Sequence, residues 1–592
     1  MPTFPSSSGE PASRGAPPDL PRLAADLLLV HPPAIYPFRE RRDLYFPFLG
    51  TSGDVPITPL YEYFPVGYKS LERYLGERGH RVRLLNLASL LLRYPRLGLG
   101  DVIDRLDAAV VGIDLHWMVH VQGALAVAER LAAARPDLPI LLGGLSATYY
   151  AEELIRLPFV DLVMRGYDTH APVDRLLGAL GSEEHLAAVP NLLWKASDGR
   201  IVDNGLTFLP EPYGCAVDWA RLPAAPAQRA GLPIQEILTV HNAGCRHDCA
   251  WCGSSRSAFR RIHQCAHGFA AKPNAAVAGE LRTVNRMAAV ERHHLYAVGA
   301  YNQSPSELSL ALDRLDGLAC RSLSLEQIQL TPDSLLARMG KLGPRVTITL
   351  SPQSHDPEVA RRAGRGVFTN AEMEAWIERA LDHGIAGIDL WYFVGMPGQT
   401  EQLVLDNVDY CVSLLERYRG KNVQPLICPM VPLLDPGSTI FEAPAEHGYR
   451  LFCRSVDDHR RAMQRPSFLQ RINYETRWLT RWELVRVGFR AVRDLMSAKA
   501  EVGMHRRSTI ERYNQRIDDA LAFLPVVDEI DRLQDRSERA RQLDRIGDEI
   551  VERNRLVLSP FVDNQAFPVR RQIGGRWFDE LGWAPELLAP YE

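Results

Sequence analysis

The chain has 592 residues, of which 46% are hydrophobic and 24% are charged, and its formal net charge is -4. These values exclude a disordered or fibrous chain and predict a globular protein of about three or four domains. No apolar run reaches the roughly eighteen residues of a membrane helix, and the near balance of charge does not favour nucleic acid or an anionic membrane as a partner.

Nine cysteines without a signal peptide ahead of them predict a reducing, cytoplasmic compartment rather than a disulfide framework. Residues 1–21 are rich in Pro, Ser and Gly, and we expect them to form a disordered tail. A mitochondrial transit peptide is the alternative for this segment, but its two acids and its prolines would break an amphipathic helix.

Residues 22–185 alternate short β-rich apolar runs with helical periodicity, which predicts an α/β domain. The strand-like runs are 26–30, 82–87, 108–113, 140–142 and 160–164, and the helical stretches are 69–79, 121–134 and 151–157. This order predicts a doubly wound, Rossmann-like parallel sheet that binds its ligand at the carboxyl ends of the strands. A linker is expected at 186–232.

A second α/β series occupies residues 233–445. Its strand-like runs are 237–240, 295–298, 322–325, 346–350, 387–394 and 423–427, separated by helical stretches such as 371–383. Six such units predict a partial or full β/α barrel whose site lies in the loops at the carboxyl ends of the strands.

Residues 446–592 are predicted to form a mostly helical C-terminal domain, with no strand beyond Tyr449. Apolar residues recur at helical spacing there, at Leu479, Trp482, Val485, Phe489, Leu543, Ile546 and Ile550. The aromatic members of this stripe are interpreted as core packing rather than as a cofactor site.

Three closely spaced cysteines form the most specific motif of the chain. Cys245, Cys249 and Cys252 have Cys-x3-Cys-x2-Cys spacing directly after the strand-like ILTV. Thiolates suit iron-sulfur clusters, zinc or copper(I). Because a four-iron cluster normally takes four cysteines, three would leave one iron open to a substrate or cofactor. A zinc site completed by His247 or His241 is the alternative, but no second pair of ligands at zinc-site spacing is present.

This cysteine spacing after a first barrel strand resembles the radical S-adenosylmethionine (radical SAM) superfamily, over residues 237–436. The resemblance implies a 4Fe-4S cluster on the three cysteines, whose open iron chelates SAM and cleaves it to a 5′-deoxyadenosyl radical. In place of the usual Gly-Gly-Glu, the segment 297–302 reads AVGAYN. The resemblance implies SAM contacts at Trp251, Gly299, Glu326, Ser351, Gln353, Gly395 and Pro397.

The N-terminal domain resembles the cobalamin-binding domain that precedes the barrel in one subclass of that superfamily. The matching pieces are HPP at 31–33, VGID at 111–114, GGLSAT at 143–148 and RGYD at 165–168. Two glycines at a strand end would let a bulky corrin approach the backbone. The resemblance implies cobalamin contacts at Pro32, Asp114, His116, Gly143, Gly144, Ser146, Thr148 and Gly166.

Other cobalamin domains carry Asp-x-His-x-x-Gly after the first strand, with the histidine as lower axial ligand. The loop here reads AIYPFRERRD and lacks that motif. Asp114-Leu115-His116 follows the third strand instead, and Val119 stands at the glycine position. We therefore expect cobalamin without an imidazole lower ligand, and His116 as a loop contact. The other six cysteines are expected to be small buried hydrophobic residues, at Cys215, Cys265, Cys320, Cys411, Cys428 and Cys453.

Together the two resemblances imply a cobalamin-dependent radical SAM C-methyltransferase that moves a methyl group from methylcobalamin to an unactivated carbon. The Arg-rich chain with few lysines suggests a high-GC bacterial genome, and hence a small-molecule or carrier-tethered intermediate of natural-product (antibiotic) biosynthesis. A flavodoxin or ferredoxin would donate electrons. The alternatives are a cyclase or rearrangement enzyme of the same class and a non-enzymatic cobalamin or iron-sulfur sensor. No residue is identified that would contact the reacting carbon.

Overall fold

A computed structural model describes residues 22–37, 66–87, 90–91, 97–221, 236–287, 290–299, 304–429 and 434–550. The predicted tail at 1–21 lies outside the described residues, as do residues 551–592 of the predicted C-terminal domain. In the part of the chain that is described, no helix is both long enough and apolar enough to cross a membrane.

The first domain is built on a seven-stranded sheet with the order β2-β1-β3-β4-β5-β6-β7. Its strands are β1 (Leu23–His31), β2 (Val82–Asn86), β3 (Leu106–Asp114), β4 (Ile140–Gly143), β5 (Leu162–Met164), β6 (Leu192–Lys195) and β7 (Ile201–Asp203). Strands β1 to β5 pair in parallel, and β6 and β7 add an antiparallel edge. The predicted doubly wound fold is confirmed.

Helices cover both faces of this sheet. They are α1 (Val66–Gly76), α2 (Leu99–Ile103), α3 (Val121–Ala134), α4 (Leu145–Tyr149), α5 (Ala151–Leu154), α6 (His170–Ala179) and α7 (Glu183–Leu186). Successive residues of β1 enter opposite apolar layers, with Leu28 in one core cluster and Leu27 and Leu29 in the other. Two buried faces explain why the central strands read as continuous apolar runs in the sequence.

The sheet extends beyond residue 185, so the prediction of a linker from residue 186 is wrong over β6 and β7. These strands form a hairpin closed at Asp198-Gly199, where Gly199 has a φ of +85°. The two strands have only four and three residues, so their apolar runs are too brief to be recognised in the sequence. The Asp-Gly pair between two short β-rich runs is a hairpin signal that could have identified them.

The second domain contains a six-stranded parallel sheet in sequence order, which forms an open, partial barrel. Its strands are β8 (Glu236–Val240), β11 (His294–Val298), β12 (Ser322–Gln327), β13 (Arg345–Gln353), β14 (Gly387–Val394) and β15 (Val423–Pro429). A separate antiparallel pair, β9 (Asn242–Gly244) and β10 (Phe269–Ala271), adjoins the cysteine motif. The helices are α8 (Arg256–His263), α9 (Asn274–Asn285), α10 (Pro305–Leu315), α11 (Asp333–Met339), α12 (Pro357–Arg362), α13 (Asn370–Asp382) and α14 (Glu401–Arg417).

The C-terminal part is mostly helical, with α15 (Thr439–Glu442), α16 (Val456–Met463), α17 (Phe468–Arg471), α18 (Arg481–Glu501), α19 (Arg507–Asp531) and α20 (Arg536–Arg545). The prediction that strands stop at Tyr449 is wrong, because β16 (Tyr449–Leu451) pairs with β17 (Tyr474–Thr476). Three-residue strands separated by 22 residues leave no periodic signal. Phe489 is buried in the core and Trp482 packs against it, as expected if the aromatic stripe serves packing.

Candidate active site

The three cysteines lie on a compact loop that follows β8 and β9. Cys245 and Cys249 are buried, and Cys252 is partly buried. The loop is held by backbone hydrogen bonds, from Ala250 N to the Ala363 carbonyl (3.0 Å) and from Cys252 N to the Cys249 carbonyl (3.2 Å). Backbone contacts therefore fix where the three sulfurs sit.

Hydrogen-bond donors point at two of these sulfurs. Arg365 Nε donates to Cys249 Sγ at 3.0 Å, and His247 N donates to Cys245 Sγ at 3.4 Å. Such donors stabilise sulfur as thiolate. Burial raises the pKa of the Cys252 thiol well above its usual range, so a metal must displace the proton when it binds there.

The spacing of the sulfurs does not fit a single zinc ion. Zinc-sulfur bonds of about 2.3 Å in a tetrahedral site bring sulfurs to about 4 Å from one another. Among the described residues, no group of three possible metal ligands that includes a cysteine has all its ligand atoms within 4.8 Å of one another. The donor set of three thiolates on one loop fits an iron-sulfur cluster, in which the sulfurs bind different irons.

Glu326, at the end of β12, is the central polar group beside this loop. Tyr296 Oη donates to Glu326 Oε1 at 2.5 Å, and the Gly299 backbone also hydrogen-bonds to the carboxyl group. Burial raises the pKa of Glu326, against the lowering effects of Tyr296 and Arg365. Gly299 has a φ of +88°, and a Cβ there would lie 2.2 Å from Asn242 Oδ1.

Ser351 and Gln353 lie at the end of β13, where the pairing with β14 becomes irregular. Gln353 is fully buried and has a φ of +70°, which is unusual for a residue other than glycine. Such irregular strand ends redirect side chains and are common beside active sites. Both side chains therefore lie at the carboxyl edge that also carries Glu326, as the sequence predicted.

Arg365 is a candidate functional residue that the sequence reasoning missed. It follows α12 and interacts with both Cys249 and Glu326. The guanidinium thus lies between the cysteine loop and the strand ends. A single arginine in an Arg-rich chain carries no local signal that distinguishes it.

The Gly395–Pro397 turn closes the end of β14. Gln399 Oε1 accepts hydrogen bonds from Gly395 N (2.8 Å) and Met396 N (3.2 Å). Gly395 has a φ of +99°, and a Cβ there would lie 2.6 Å from Tyr474 Oη, so close packing requires this glycine. Trp251 lies nearby in the same strand-end region, with its ring centroid 5.5 Å from that of Phe393 on β14.

The predicted cobalamin contacts lie together at the carboxyl edge of the first sheet. Thr148 Oγ1 accepts a hydrogen bond from Gly166 N at 3.1 Å, and Pro32 directly follows β1. The two glycines at the end of β4 differ in the space that a Cβ would have. A Cβ on Gly144 (φ +117°) would lie 2.6 Å from the Leu115 carbonyl oxygen, whereas one on Gly143 would meet no described atom within 4 Å. Gly143 leaves an open approach, and Gly144 instead serves backbone packing.

Two histidines share one carboxylate at the same edge. Asp114 Oδ2 lies 2.6 Å from His116 Nδ1 and 3.1 Å from His31 Nδ1. His120 packs beside them, with its ring centroid 4.8 Å from that of His116. Burial by itself raises the pKa of Asp114, but His116 and His31 hold it well below its usual range, so the carboxyl group is ionised.

The ligand-binding edges of the two domains lie against each other. Tyr149 on α4 donates to Glu442 Oε1 at 2.7 Å, and the ring centroid of Tyr167 lies 5.1 Å from that of Phe259 on α8. Helix α8 directly follows the cysteine loop.

Residues 434–442 also connect the cysteine loop to the first domain. Gly253 N, next to Cys252, donates to Asp435 Oδ2 at 3.1 Å. Gly437 adjoins the Tyr149 ring, and Glu442 accepts the Tyr149 hydroxyl. Burial raises the pKa of Asp435 to about 6, against a lowering hydrogen bond from Gly253.

Residues 54–175 match the family model of the B12 binding domain. No curated protein matches the chain significantly in sequence. One similar solved structure is the radical S-adenosylmethionine methyltransferase TsrM from Kitasatospora setae with cobalamin and a [4Fe-4S] cluster bound. It has 15% identity and a TM-score of 0.53, over 85% of this chain and 100% of that chain.

Another is the cobalamin-dependent S-adenosylmethionine radical enzyme OxsB with aqua-cobalamin and S-adenosylmethionine bound. It has 10% identity and a TM-score of 0.53, over 95% of this chain and 84% of that chain. The chain therefore has the fold of cobalamin-dependent radical SAM enzymes, with a B12 binding domain at its N-terminal side.

Proposed function

We propose that this protein is a cobalamin-dependent radical SAM C-methyltransferase that acts on an unactivated carbon of a small-molecule, natural-product intermediate. The observation that carries the proposal is the contact between the two ligand-binding edges. Tyr149 and Tyr167, at the edge of the B12 binding domain, touch the segment 434–442 and helix α8, which flank the three-cysteine loop. Two cofactors at these edges would face one substrate.

Each cofactor has a set of residues that fits it. The cluster would be held by Cys245, Cys249 and Cys252. SAM would be held by Trp251, Gly299, Glu326, Ser351, Gln353, Gly395, Pro397 and Arg365. Cobalamin would be held by Pro32, Asp114, His116, Gly143, Gly144, Ser146, Thr148 and Gly166. When bound, the cluster and SAM supply hydrogen-atom abstraction, and cobalamin supplies the methyl group.

Arg365 would bind the SAM carboxylate. Its guanidinium contacts Cys249 Sγ, so a carboxylate paired with it would be held beside the cluster. A guanidinium can donate two parallel hydrogen bonds to a carboxylate, which fixes orientation as well as position. Glu326, held by Tyr296 and by the Gly299 backbone, is the acceptor left for donor groups of SAM.

Apolar and aromatic residues would keep water away from the radical. Trp251 packs beside Phe393, and Tyr167 packs beside Phe259 at the domain contact, and these two pairs would form the walls around the substrate. Excluding water and fixing the partners are the tasks that a protein performs around such reactive cofactors. The substrate would lie between these walls, as a free small molecule or on a carrier.

The test is an anaerobic turnover with candidate substrates from the gene neighbourhood, SAM, hydroxocobalamin and a reductant, followed by mass spectrometry. A C-methyltransferase forms a product with one added methyl group and releases both S-adenosylhomocysteine and 5′-deoxyadenosine. An unmethylated, rearranged product with 5′-deoxyadenosine would support the cyclase alternative. Tight cobalamin binding without either nucleoside product would support the sensor.

The cluster assignment has its own test. Replacing Cys245, Cys249 and Cys252 together by Ala is expected to abolish the Mössbauer signal of a reconstituted 4Fe-4S cluster, because three thiolate ligands are lost. Cys320→Ala is the matched control, since Cys320 is also buried but hydrogen-bonds to the Ser322 carbonyl on β12. Normal cluster content in the triple variant would refute the assignment.

A further inference from the structure

We infer that Asp435 binds a protonated amine of the substrate, so that the enzyme acts on small molecules that carry a basic nitrogen. The inference rests on the proposed function, because it needs a substrate between the cysteine loop and the B12 binding domain. It goes further by naming the chemical group that the site would recognise. The carboxyl group of Asp435 lies between these two parts and has no cation paired with it in the described part of the chain.

The Asp435 side chain packs against the end of the cysteine loop that approaches the first domain. Gly253 N, next to Cys252, donates to Asp435 Oδ2 at 3.1 Å, and a Cβ on Gly253 would lie 3.1 Å from the Asp435 Cβ. Two residues further along the chain, a Cβ on Gly437 would lie 3.2 Å from Tyr149 Cδ2 of the first domain. Asp435 therefore lies where a substrate between the two cofactors would pass.

Among the described residues, no basic side chain pairs with the Asp435 carboxyl group. Its hydrogen bond comes from Gly253 N, and no lysine, arginine or histidine contributes to its pKa. Arg261, whose guanidinium touches the same segment, donates to the Gly437 carbonyl instead. Carboxylates inside proteins are usually paired, because an uncompensated charge is costly to desolvate. A positively charged ligand would supply the missing partner.

The surroundings of Asp435 form a cleft rather than a sealed core. Burial raises the pKa of Asp435 to about 6, so the group is shielded from open solvent. The residue is nevertheless partly accessible, as are Trp251 and Tyr149 nearby. Aromatic rings attract cations through their faces. A carboxyl group with accessible aromatic rings near it therefore suits an ammonium group better than a neutral or anionic one.

The backbone on both sides of Asp435 is fixed before any ligand binds. Asn473 is fully buried, and its Oδ1 accepts from Leu434 N at 2.7 Å while its Nδ2 donates to the Leu434 carbonyl at 3.1 Å. Ser438 N donates to the Asp435 carbonyl at 3.1 Å, and Ser438 Oγ accepts from Phe441 N at the start of α15. A carboxyl group held in this way loses little freedom when a ligand binds.

SAM is the competing source of positive charge, through its amino group and its sulfonium. The residues proposed for its charged amino-acid end are Arg365 and Glu326, and Arg365 contacts Cys249. Asp435 follows β15 and contacts Gly253, at the other end of the cysteine motif. This position favours the substrate as the partner of Asp435, and the SAM affinity of an Asp435 variant distinguishes the two.

The first experiment measures the binding of two defined probes, phenethylammonium and N-acetylphenethylamine, to the full-length holoenzyme with SAM and without reductant. Ligand-observed NMR titration gives both dissociation constants. Phenethylammonium is expected to bind about tenfold to a hundredfold more tightly, because hydrogen bonds between charged groups contribute a factor of this size. Asp435→Asn is expected to abolish the difference. Equal affinities in the wild type, or a preference that survives in Asp435→Asn, would overturn the inference.

The second experiment compares amine substrates from the gene neighbourhood with their N-acetylated forms in the methylation assay. For the amine, Asp435→Asn is expected to raise KM about tenfold to a hundredfold, with cluster content and the Kd for SAM unchanged. For the acetylated form, which lacks the charge, the same variant is expected to leave KM unchanged. Asp457→Asn is the matched control, because Asp457 is exposed and pairs with Arg461.

Three results of the second experiment would overturn the inference. They are a methylated substrate without a basic nitrogen, an unchanged KM for the amine in Asp435→Asn, and a raised Kd for SAM in that variant, which would assign the carboxyl group to SAM. A wild-type protein that methylates no candidate would refute the proposed function, on which the inference depends. The probe titration needs no turnover, so the two failures are distinguishable.

Discussion

Arg365 is the clearest case of a single side chain whose position gives it a role. Its guanidinium donates to the sulfur of Cys249 and interacts with the carboxyl group of Glu326, although these residues are more than a hundred and about forty positions away in sequence. Under the proposed function, this arginine would hold an anionic group of SAM between Cys249 and Glu326. We therefore expect its loss to weaken SAM binding.

Arg365→Met is expected to raise the Kd for SAM about tenfold to a hundredfold, because hydrogen bonds to charged groups contribute about 1.5–3 kcal/mol. Equilibrium dialysis with SAM on the reconstituted enzyme measures this change. Arg362→Met is the control, since Arg362 is exposed and pairs with Glu358 on the same helix. Unchanged SAM affinity in Arg365→Met, with an intact cluster, would contradict the proposed role.

At the scale of elements, helix α18 covers the open side of the partial barrel. It packs on β15 and on α14 and carries the buried Lys499 toward Asp389 of β14. Burial raises the pKa of Asp389 to about 6, and Lys499 opposes that rise. Burial also lowers the pKa of Lys499 to about 8, against the raising effect of Asp389. Each charged group of this pair therefore needs the other to offset the cost of its burial.

Lys499→Met is expected to lower the free energy of unfolding by about 3–5 kcal/mol at neutral pH, because it leaves a buried carboxylate without its cation. The folded-state pKa of Asp389 already lies above its ordinary 3.8 and rises further in the variant. Ionisation of Asp389 therefore opposes folding as pH increases from the unfolded pKa through the folded one. The loss should be small near pH 5 and larger near pH 7, and it should shrink again above about pH 8, where Lys499 of the wild type loses its own proton.

Denaturant unfolding at both pH values measures this effect. Lys421→Met is the matched control, because Lys421 is exposed, and the double variant Lys499→Met with Asp389→Leu is expected to recover most of the stability. An equal loss at pH 5 and pH 7 would show that packing, not charge, is responsible.

At the scale of the whole molecule, the C-terminal part contacts the first domain through several hydrogen bonds. Tyr150 Oη donates to the Arg454 carbonyl at 2.8 Å, and Val456 N donates to Glu153 at 2.8 Å. Helix α16 packs on α3, and its Val456 and Met463 join the apolar core of the first domain. The C-terminal part therefore belongs structurally to both domains and fixes their relative placement.

Removing cobalamin is expected to separate the two halves of the reaction. Enzyme reconstituted with the cluster alone should still cleave SAM to 5′-deoxyadenosine, because every residue proposed to hold SAM lies in the barrel domain. It should form neither S-adenosylhomocysteine nor methylated product. Mass spectrometry of parallel reactions with and without hydroxocobalamin measures this, and a methylated product in the cobalamin-free reaction would refute the proposed methyl carrier.

The sequence by itself determined the two parallel sheets and the cysteine motif. Central strands of a parallel sheet are buried on both faces, so β1, β3 and β14 appear as continuous apolar runs that need no tertiary information. The cysteines are equally local, since eight consecutive positions contain their spacing. The strands β6, β7, β16 and β17 were missed because strands of three or four residues are too short to leave a pattern.

Only the tertiary structure decided which distant residues meet. Asp114 and His31 come together because β1 and β3 pair in register, although 83 positions separate them. Tyr149 and Glu442 are 293 positions apart, and their contact depends on how two separately folded sheets pack. Local periodicity and residue spacing can be read from the sequence. Strand order, register and domain packing depend instead on how apolar surface is buried across the whole chain. The cofactor motifs can therefore be recognised in the sequence, whereas the residues that orient and connect them cannot.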